Sequence, residues 1–390
     1  MNKLDLTYAN LLEEILRNGR PKTDRTSTGT ISTFGVNLEH EMIDGFPILT
    51  TKKMAWRTIK TELCWFLMGD TNIKWLIDND CNIWNGDAYA NYLNKYYYSN
   101  KSYIGSYVEL RGSEYQVIDV HRKDQSILIC LDEFGDEVLI NINNVILKNP
   151  LSKKEFIAMI KNNSVFAKYW GELGPIYGKQ WVNWDGVNQI DQVIINLMKN
   201  PNSRRHVVSA WNVSDLPDMV LPPCHMFMQF YVVELNFEER KKHFIKQLEL
   251  TSDPLLKGDI PDDLINNTPK YGLSLMWYQR SVDTFLGLPF NITSYGLLLT
   301  IVSKICDMYP HELKASLGDT HIYNNHLDAV HQQLTNKTKS FDLPMVEVPQ
   351  SLIDVYRKTG DLGMAMKESL NSINLKNYQH HEKTKAPLSN

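Results

Sequence analysis

The reactive side chains of this sequence fall into a few short segments, and the first is Leu221-Pro222-Pro223-Cys224-His225. Two prolines hold the backbone stiff and extended just ahead of the thiol. The run that follows, Met226-Phe227-Met228-Gln229-Phe230-Tyr231-Val232, has strand character. A thiol at the mouth of a strand is a candidate nucleophile; taken alone it reads more readily as a buried structural cysteine beside a core histidine. Residues 278–295 form the second segment. Arg280 next to Ser281 can hold a phosphate, and a guanidinium near Cys224 would favour the thiolate. Asn291 offers one carbonyl and one NH2, so it can accept from a ring N–H and donate to a ring carbonyl. Uracil displays that pair at N3 and O4, whereas cytosine displays the reverse. Two polar loops, residues 24–30 with Arg25 and residues 202–206 with Arg204 and Arg205, carry anion-binding side chains or simply a solvated face. Residues 318–326 put His321 and Tyr323 on one side of a strand, where they suit sugar hydroxyls or packing.

Rigid elements must hold these groups. Leu4, Tyr8, Leu11, Leu12, Ile15 and Leu16 recur at helical spacing and stop at Gly19, which predicts an N-terminal amphipathic helix. Residues 58–67 and 73–77 read as buried helix, separated by Gly69-Asp70-Thr71-Asn72, a break rich in N-cap residues. Residues 229–233 and 273–278 read as two strands of a hairpin whose connection, 235–270, is lengthened by insertion. From 96 to 168 the texture changes. Four strand-like runs, 106–110, 115–120, 126–131 and 137–142, alternate with turn chemistry such as Arg111-Gly112-Ser113. That spacing predicts a small curled β-module of the SH3-like kind, trailed by a helix over 153–161 behind a Ser152 cap. The main domain is then 1–95 with 169–390, interrupted by 96–168.

Composition sets the outer bounds. The chain has 390 residues, 41 Lys plus Arg against 45 Asp plus Glu, a net charge of −4, 43% apolar and 22% charged residues. This argues for a globular core and against a protein that binds duplexes by neutralising many phosphates. No apolar run approaches the roughly 20 residues of a membrane span, and the N-terminus lacks the layout of a signal peptide. Five scattered cysteines without a C-x-x-C pair fit a reducing cytoplasm and no metal. If the source is viral, that means the host cytoplasm.

Together the segments resemble the thymidylate synthase family over residues 23–86, 174–233 and 273–356, with a fainter match at 385–387. Without the two suspected insertions the chain is about the size of a compact family member. The resemblance implies an α+β fold, a mixed β-sheet with packed helices. It implies one-carbon transfer from 5,10-methylenetetrahydrofolate to C5 of dUMP in a homodimer, with no metal, membrane or nucleic-acid partner. Under it Cys224 is the nucleophile, Glu62 organises waters and proton transfers, and Tyr177 lies near the C5 proton. Arg25, Arg280 and Ser281 match the phosphate site, joined by Arg204 and Arg205 from the second subunit. His225 and Gln279 fall among the substrate-binding positions, His321 and Tyr323 match the sugar site, and Asn291 reads the base. Asp283, which also counts among the substrate-binding positions, and Gly287, with Ile83, Trp84 and Leu221, match the folate pocket.

Two departures bear on how the reaction ends. Methyl-forming members carry a Trp-x-x-Trp pattern, whereas this chain reads Trp84-Asn85-Gly86-Asp87 and then Ala88-Tyr89. Family members usually end in a short apolar tail, whereas this one ends Lys385-Ala386-Pro387-Leu388-Ser389-Asn390. A wetter site would let water rather than hydride quench the C5 methylene. The expectation is therefore 5-hydroxymethyl-dUMP, by similarity to the phage deoxyuridylate hydroxymethyltransferases. The alternatives are dTMP with dihydrofolate and, as a minor one, a non-catalytic scaffold. The β-module could contact single-stranded nucleic acid through Tyr107, Tyr115, Arg122 and Lys123, or serve as passive decoration.

Overall fold

The computed structural model describes residues 2–23, 28–98, 107–121, 127–141, 144, 146–147, 150–251 and 260–387. The chain divides into two compact units, one of Met1–Gly69, Tyr177–Val213 and Pro223–Ser389, the other of Asp70–Ile176 and Ser214–Pro222.

The first unit is built on β1 (Arg20–Lys22), β2 (Thr30–Glu41), β3 (Val207–Ser209), β4 (His225–Glu234), β5 (Tyr271–Asp283) and β6 (Tyr309–Tyr323). Its described residues form a six-stranded sheet in the order β1-β2-β6-β5-β4-β3. Only β5 and β6 run parallel within it; the other neighbours are antiparallel. This is a mixed sheet in an α+β chain, as the family resemblance implies. Between the antiparallel neighbours β4 and β5 the chain carries helices Phe237–Thr251 and Asp262–Asn266. Arg240 closes that excursion by donating to the Ile265 and Thr268 carbonyls.

Helix Gly287–Ile305 packs on β5 and β6 and is buried nearly all round, from Leu288 and Ile292 to Leu298 and Val302. Contrary to the sequence expectation, its 19 residues are apolar enough to pass for a membrane span. Its most apolar window is 78% buried inside the protein, which marks a core helix. Helix Lys3–Asn18 buries Leu4, Tyr8, Leu11, Leu12 and Ile15, and Asn2 caps it by accepting from the Asp5 N–H at 2.8 Å. The buried Asp5 carboxylate accepts from Thr50 Oγ1 at 2.6 Å and Thr51 Oγ1 at 3.0 Å. Those bonds pin the segment that leads into helix Trp56–Leu67, which carries Glu62.

One face of the sheet is left open. Val207 lies opposite Gln229, Gln229 opposite Met276, and Tyr231 opposite Ser274, so these side chains share a face. On it Tyr231 is 64% exposed and Met276 44%.

The second unit holds a five-stranded antiparallel sheet of described residues, in the order Glu137–Asn141, Ile127–Leu131, Ser113–Val120, Tyr107–Leu110, Ile146–Leu147. Its core is Val108, Val117, Leu128, Cys130 and Ile140. Four strands sit near their expected places; the two-residue fifth is too short to leave a periodic signal. An SH3-like identity for this sheet gains no support. Tyr107 donates to Met159 Sδ at 3.6 Å, so that ring is engaged by the unit's own helix Lys153–Asn162. Arg122 and Lys123 lie outside the described residues. Ser152 and Glu155 form a reciprocal capping box at the start of the helix. The unit takes in residues 70–95 as well as the suspected insertion.

Candidate active site

The ladder between β4 and β5 contains the decisive irregularity. Tyr278 pairs with Phe227, but Gln279 pairs with His225, so Met226 is an extra residue in β4. A regular ladder would set Arg280 opposite His225. The bulge sets it opposite Cys224 instead, and the Arg280 N–H donates to the Cys224 carbonyl at 2.8 Å. Arg280 Nε also donates to the Pro223 carbonyl at 2.9 Å, and its guanidinium carbon lies 5.4 Å from the Trp211 ring centroid. Gly318 lies directly against this residue: a Cβ there would sit 2.8 Å from the Arg280 carbonyl oxygen. The Cys224 N–H donates to the Tyr177 hydroxyl at 2.7 Å. The thiol is half-buried, and its two backbone polar groups are both tied.

Behind it stands an aromatic stack. The buried His225 ring lies 4.2 Å from that of Tyr177 at 20°, and its Nδ1 is 2.8 Å from Tyr295 Oη. Burial pushes the His225 imidazole down to about 3, so it is neutral at physiological pH. Burial, reinforced by Cys224, holds the Tyr177 phenol well above its usual range. Tyr177 therefore keeps its proton while its oxygen accepts from Cys224. Glu62 and Phe66 are one turn apart on one helix face. Phe66 packs 4.9 Å from Tyr177, and the Glu62 carboxylate contributes to the rise of that phenol.

A chain of amides runs from the core to Asn291. Trp277 Nε1 donates to Gln279 Oε1 at 3.2 Å, and Gln279 Nε2 donates to Asn291 Oδ1 at 3.2 Å and to the Ser281 carbonyl at 3.1 Å. An indole N–H can only donate, so it fixes which end of Gln279 faces it, and Gln279 in turn fixes Asn291. The arrangement leaves the Asn291 NH2 unused by Gln279. Asp283 Oδ1 accepts from the Phe285 and Leu286 N–H groups at 3.0 Å each, shaping the turn into the helix that bears Asn291. A side chain at Gly287 would start 3.4 Å from Asp283 Cβ and 4.0 Å from Asn291 Oδ1, in the space between those polar groups.

β6 delivers the remaining pair. Ser281 lies opposite Asp319 and Asp283 opposite His321. His321 and Tyr323 meet edge to face at 5.1 Å, and His321 Nδ1 is 3.2 Å from the Asp319 carbonyl. Arg25 lies outside the described residues, in the connection between β1 and β2. Arg204 and Arg205 are exposed just ahead of the edge strand β3. Ile83, Trp84 and Leu221 belong to the second unit, where Trp84 is buried. In that unit Tyr89 donates to the Leu151 carbonyl at 2.9 Å and packs 5.5 Å from Phe156. The aromatic that follows the missing second tryptophan is thus consumed in packing.

Sequence reasoning passed over Lys52. Its ammonium is buried, bonds the Phe285 carbonyl at 2.5 Å and lies 3.8 Å from the Phe285 ring centroid. Burial pulls it down to about 7 against the opposing pull of Asp283. A cavity of about 390 Å³ opens at the other end of β5 and β6, by Tyr309 and His243, and shares no residue with the cysteine site.

A thiol, an arginine, an acid, a high-pKa phenol and an oriented amide suit covalent activation of a pyrimidine. The thymidylate synthase family model matches residues 6–390. The chain belongs to the thymidylate synthase family. The thymidylate synthase of Mycoplasma mobile is 38% identical over 330 residues, 85% of each chain. That of Mesoplasma florum is 35% identical over 348 residues, 89% of this chain and 91% of the relative. That of Malacoplasma penetrans is 34% identical over 382 residues, 98% of this chain and 99% of the relative. Such end-to-end alignment makes the relatives about as long as this chain, so its extra length is not private to it. Thymidylate synthases are one-carbon transferases that act on dUMP with 5,10-methylenetetrahydrofolate as co-substrate and are generally dimeric. Among the described residues no cluster of metal-ligating side chains occurs. The relatives lend nothing to the phage hydroxymethylase branch; they favour the alternative, dTMP synthesis.

Proposed function

We propose that this member of the family converts dUMP to dTMP. The observation that carries the reading is the bulge that presents Cys224 beside Arg280, at the end of the sheet where Gln279 orients Asn291. Cys224 Sγ bonds C6 of the pyrimidine and makes C5 nucleophilic. After C5 has gained its carbon substituent, its proton leaves by way of Tyr177 and waters ordered by Glu62, and the S–C6 bond breaks to free the product. Bound 5,10-methylenetetrahydrofolate supplies the one-carbon unit and then the hydride. The Asp283 carboxylate suits the donor edge of a pterin, with Gly287 leaving room beside it.

Arg25, Arg280 and Ser281 hold the phosphate, His321 and Tyr323 the sugar, and Asn291 selects uracil over cytosine. His225, buried and engaged by Tyr295, supports Tyr177 and Cys224 from behind instead of touching substrate. The open sheet face with Tyr231 and Met276 supports a homodimer, in which the exposed Arg204 and Arg205 complete the partner's phosphate site. A cytoplasmic location fits five cysteines none of which forms a disulfide.

One assay tests the reaction: incubate the protein with dUMP and methylenetetrahydrofolate, follow dihydrofolate, and weigh the nucleotide product. Stoichiometric dihydrofolate and dTMP are expected. The absent second tryptophan favours a second reading, 5-hydroxymethyl-dUMP with little dihydrofolate, and the product mass separates the two.

A further inference from the structure

His206 stands between the exposed Arg205 and the first residue of β3, and it is wholly buried. Its Nε2 lies 3.1 Å from the Asn200 carbonyl and 3.3 Å from the Pro201 carbonyl. A carbonyl can only accept, so Nε2 carries the ring proton and shares it between the two. The His206 carbonyl in turn accepts from the Phe230 N–H of β4 at 2.8 Å. One residue thus ties the start of the 200–206 loop to the sheet at the loop's end. Within the loop the Ser203 N–H donates to the Asn200 carbonyl at 3.1 Å, and Ser203 Oγ accepts from the Arg205 N–H at 3.2 Å. Arg204 and Arg205 are exposed on this closed loop. The opposite ring nitrogen, Nδ1, is buried without a hydrogen bond, a cost that an aliphatic side chain would avoid.

We infer that His206 is a positioning residue that fixes the loop carrying Arg204 and Arg205, so that the pair is preset for the phosphate of a nucleotide bound by the partner subunit. The inference rests on the homodimer reading above. Strand β3 does not depend on the ring. Gln189 donates to the Ser209 carbonyl at 2.8 Å and accepts from the Ser209 N–H at 3.0 Å, and residues 207–209 pair with β4. Loss of the imidazole donor therefore frees the loop and leaves the strand seated. Long guanidinium side chains gain from a fixed backbone, since less freedom is lost when they meet a phosphate. The phosphate is held alike in ground and transition states, so the effect falls on the KM for dUMP and not on kcat.

The test compares His206→Leu, which fills the space without a donor, with His206→Gln, whose NH2 can reach the same carbonyls. Two readouts are taken: trypsin cleavage after Arg204 and Arg205, followed by mass, and steady-state kinetics with dUMP and methylenetetrahydrofolate. The Leu variant is expected to be cut at these two sites about tenfold faster and to raise the dUMP KM about tenfold, as the loss of one buried hydrogen bond implies. Its kcat and folate KM should hold, and the Gln variant should stay near wild type in both readouts. Mixed dimers of a His206→Leu chain with a Cys224→Ala chain, isolated by two different tags, give the sharper comparison. Their one working cysteine receives its arginines from the unaltered loop, so the dUMP KM should return to the wild-type value. Unchanged cleavage in the Leu variant would overturn the anchor, and faster cleavage with an unchanged dUMP KM would overturn the positioning role. A KM that stays high in the mixed dimer would show that His206 serves its own subunit's site, against the inference. An inactive wild type would overturn the functional reading and the positioning role with it, while the trypsin comparison still decides the anchor.

Discussion

Gln279→Glu should turn Asn291 around and move the enzyme from dUMP toward dCMP. In the native chain Trp277 Nε1 donates to Gln279 Oε1, which forces the Gln279 NH2 toward Asn291 Oδ1. An ionised carboxylate at 279 still accepts from Trp277 but can only accept from Asn291 as well, so the Asn291 amide must present its NH2 inward. The groups it shows the base are then exchanged. A carbonyl replaces the donor opposite position 4 of the ring and a donor replaces the acceptor opposite N3, the pattern cytosine requires. The native orientation rests on one neutral amide hydrogen bond, about 1 kcal/mol. The reversed one would rest on a charge-assisted bond of about 2 kcal/mol. The preference therefore swings by about 3 kcal/mol, or roughly 10²-fold in the ratio of kcat/KM for the two nucleotides.

The sign of the pH dependence follows. Position 279 is 3% exposed, so a carboxyl there titrates above its ordinary value. Protonated, it can donate to Asn291 as the native amide does, and dUMP is preferred; as pH rises through its pKa the shift toward dCMP develops. The assay is kcat/KM for both nucleotides across the neutral and alkaline range, with circular dichroism to establish folding. A folded variant that keeps the native dUMP preference at every pH would refute the claim that Gln279 sets the amide.

Cys224→Ala should abolish turnover, by at least about 10³-fold, while equilibrium dialysis still detects dUMP binding. Asn291→Asp should shift kcat/KM from dUMP toward dCMP, because an ionised carboxylate repels O4 of uracil; an unchanged ratio would show that Asn291 does not read the base. Gly318→Ala places a Cβ 2.8 Å from the Arg280 carbonyl oxygen and should cost about 1–3 kcal/mol of stability, read by urea melts, and raise the KM for dUMP. Burial, with the Asp361 carboxylate adding to it, lifts the Asp191 carboxyl to about 6 against a bond from the Leu362 N–H. A raised carboxyl favours the fold while protonated and loses that contribution as pH climbs through about 6, so Asp191→Asn should raise the melting temperature at alkaline pH but not near pH 4.

What was legible in the sequence was chemistry held in residue types, and what was not was chemistry created by register. The Pro-Pro-Cys run and the string through Arg280 and Asn291 announce themselves, because few combinations of thiol, guanidinium and amide lie so near strand ends. Dense apolar spacing likewise predicted helix from 58, and the structure begins it two residues earlier at Trp56. The Met226 bulge leaves no trace, since β4 reads as apolar strand with or without an extra residue. Lys52 follows Thr50 and Thr51 in what looks like a solvated loop. It is buried because Asp5, 45 positions upstream of Thr50, gathers both threonine hydroxyls. His326 reads as the end of a polar turn until the chain's last segment is laid against it.

The bulge also places Cys224 unlike the buried thiols, in keeping with its role in the proposed function. Burial pushes Cys64 and Cys306 up to about 12 and Cys130 up to about 11. At neutral pH their thiolate fractions are then of order 10⁻⁴ or less, so they behave as apolar side chains. Cys224 differs in its position. It stands one residue before β4, half-exposed, and the extra residue at Met226 carries it past His225 to face Arg280. Removing one residue from the ladder would exchange the two, setting the neutral, buried imidazole against the arginine and turning the thiol to the other face of the sheet. The motif supplies a thiol and a stiff approach to it; the register of β4 against β5 sets that residue opposite Arg280, as the proposed function requires.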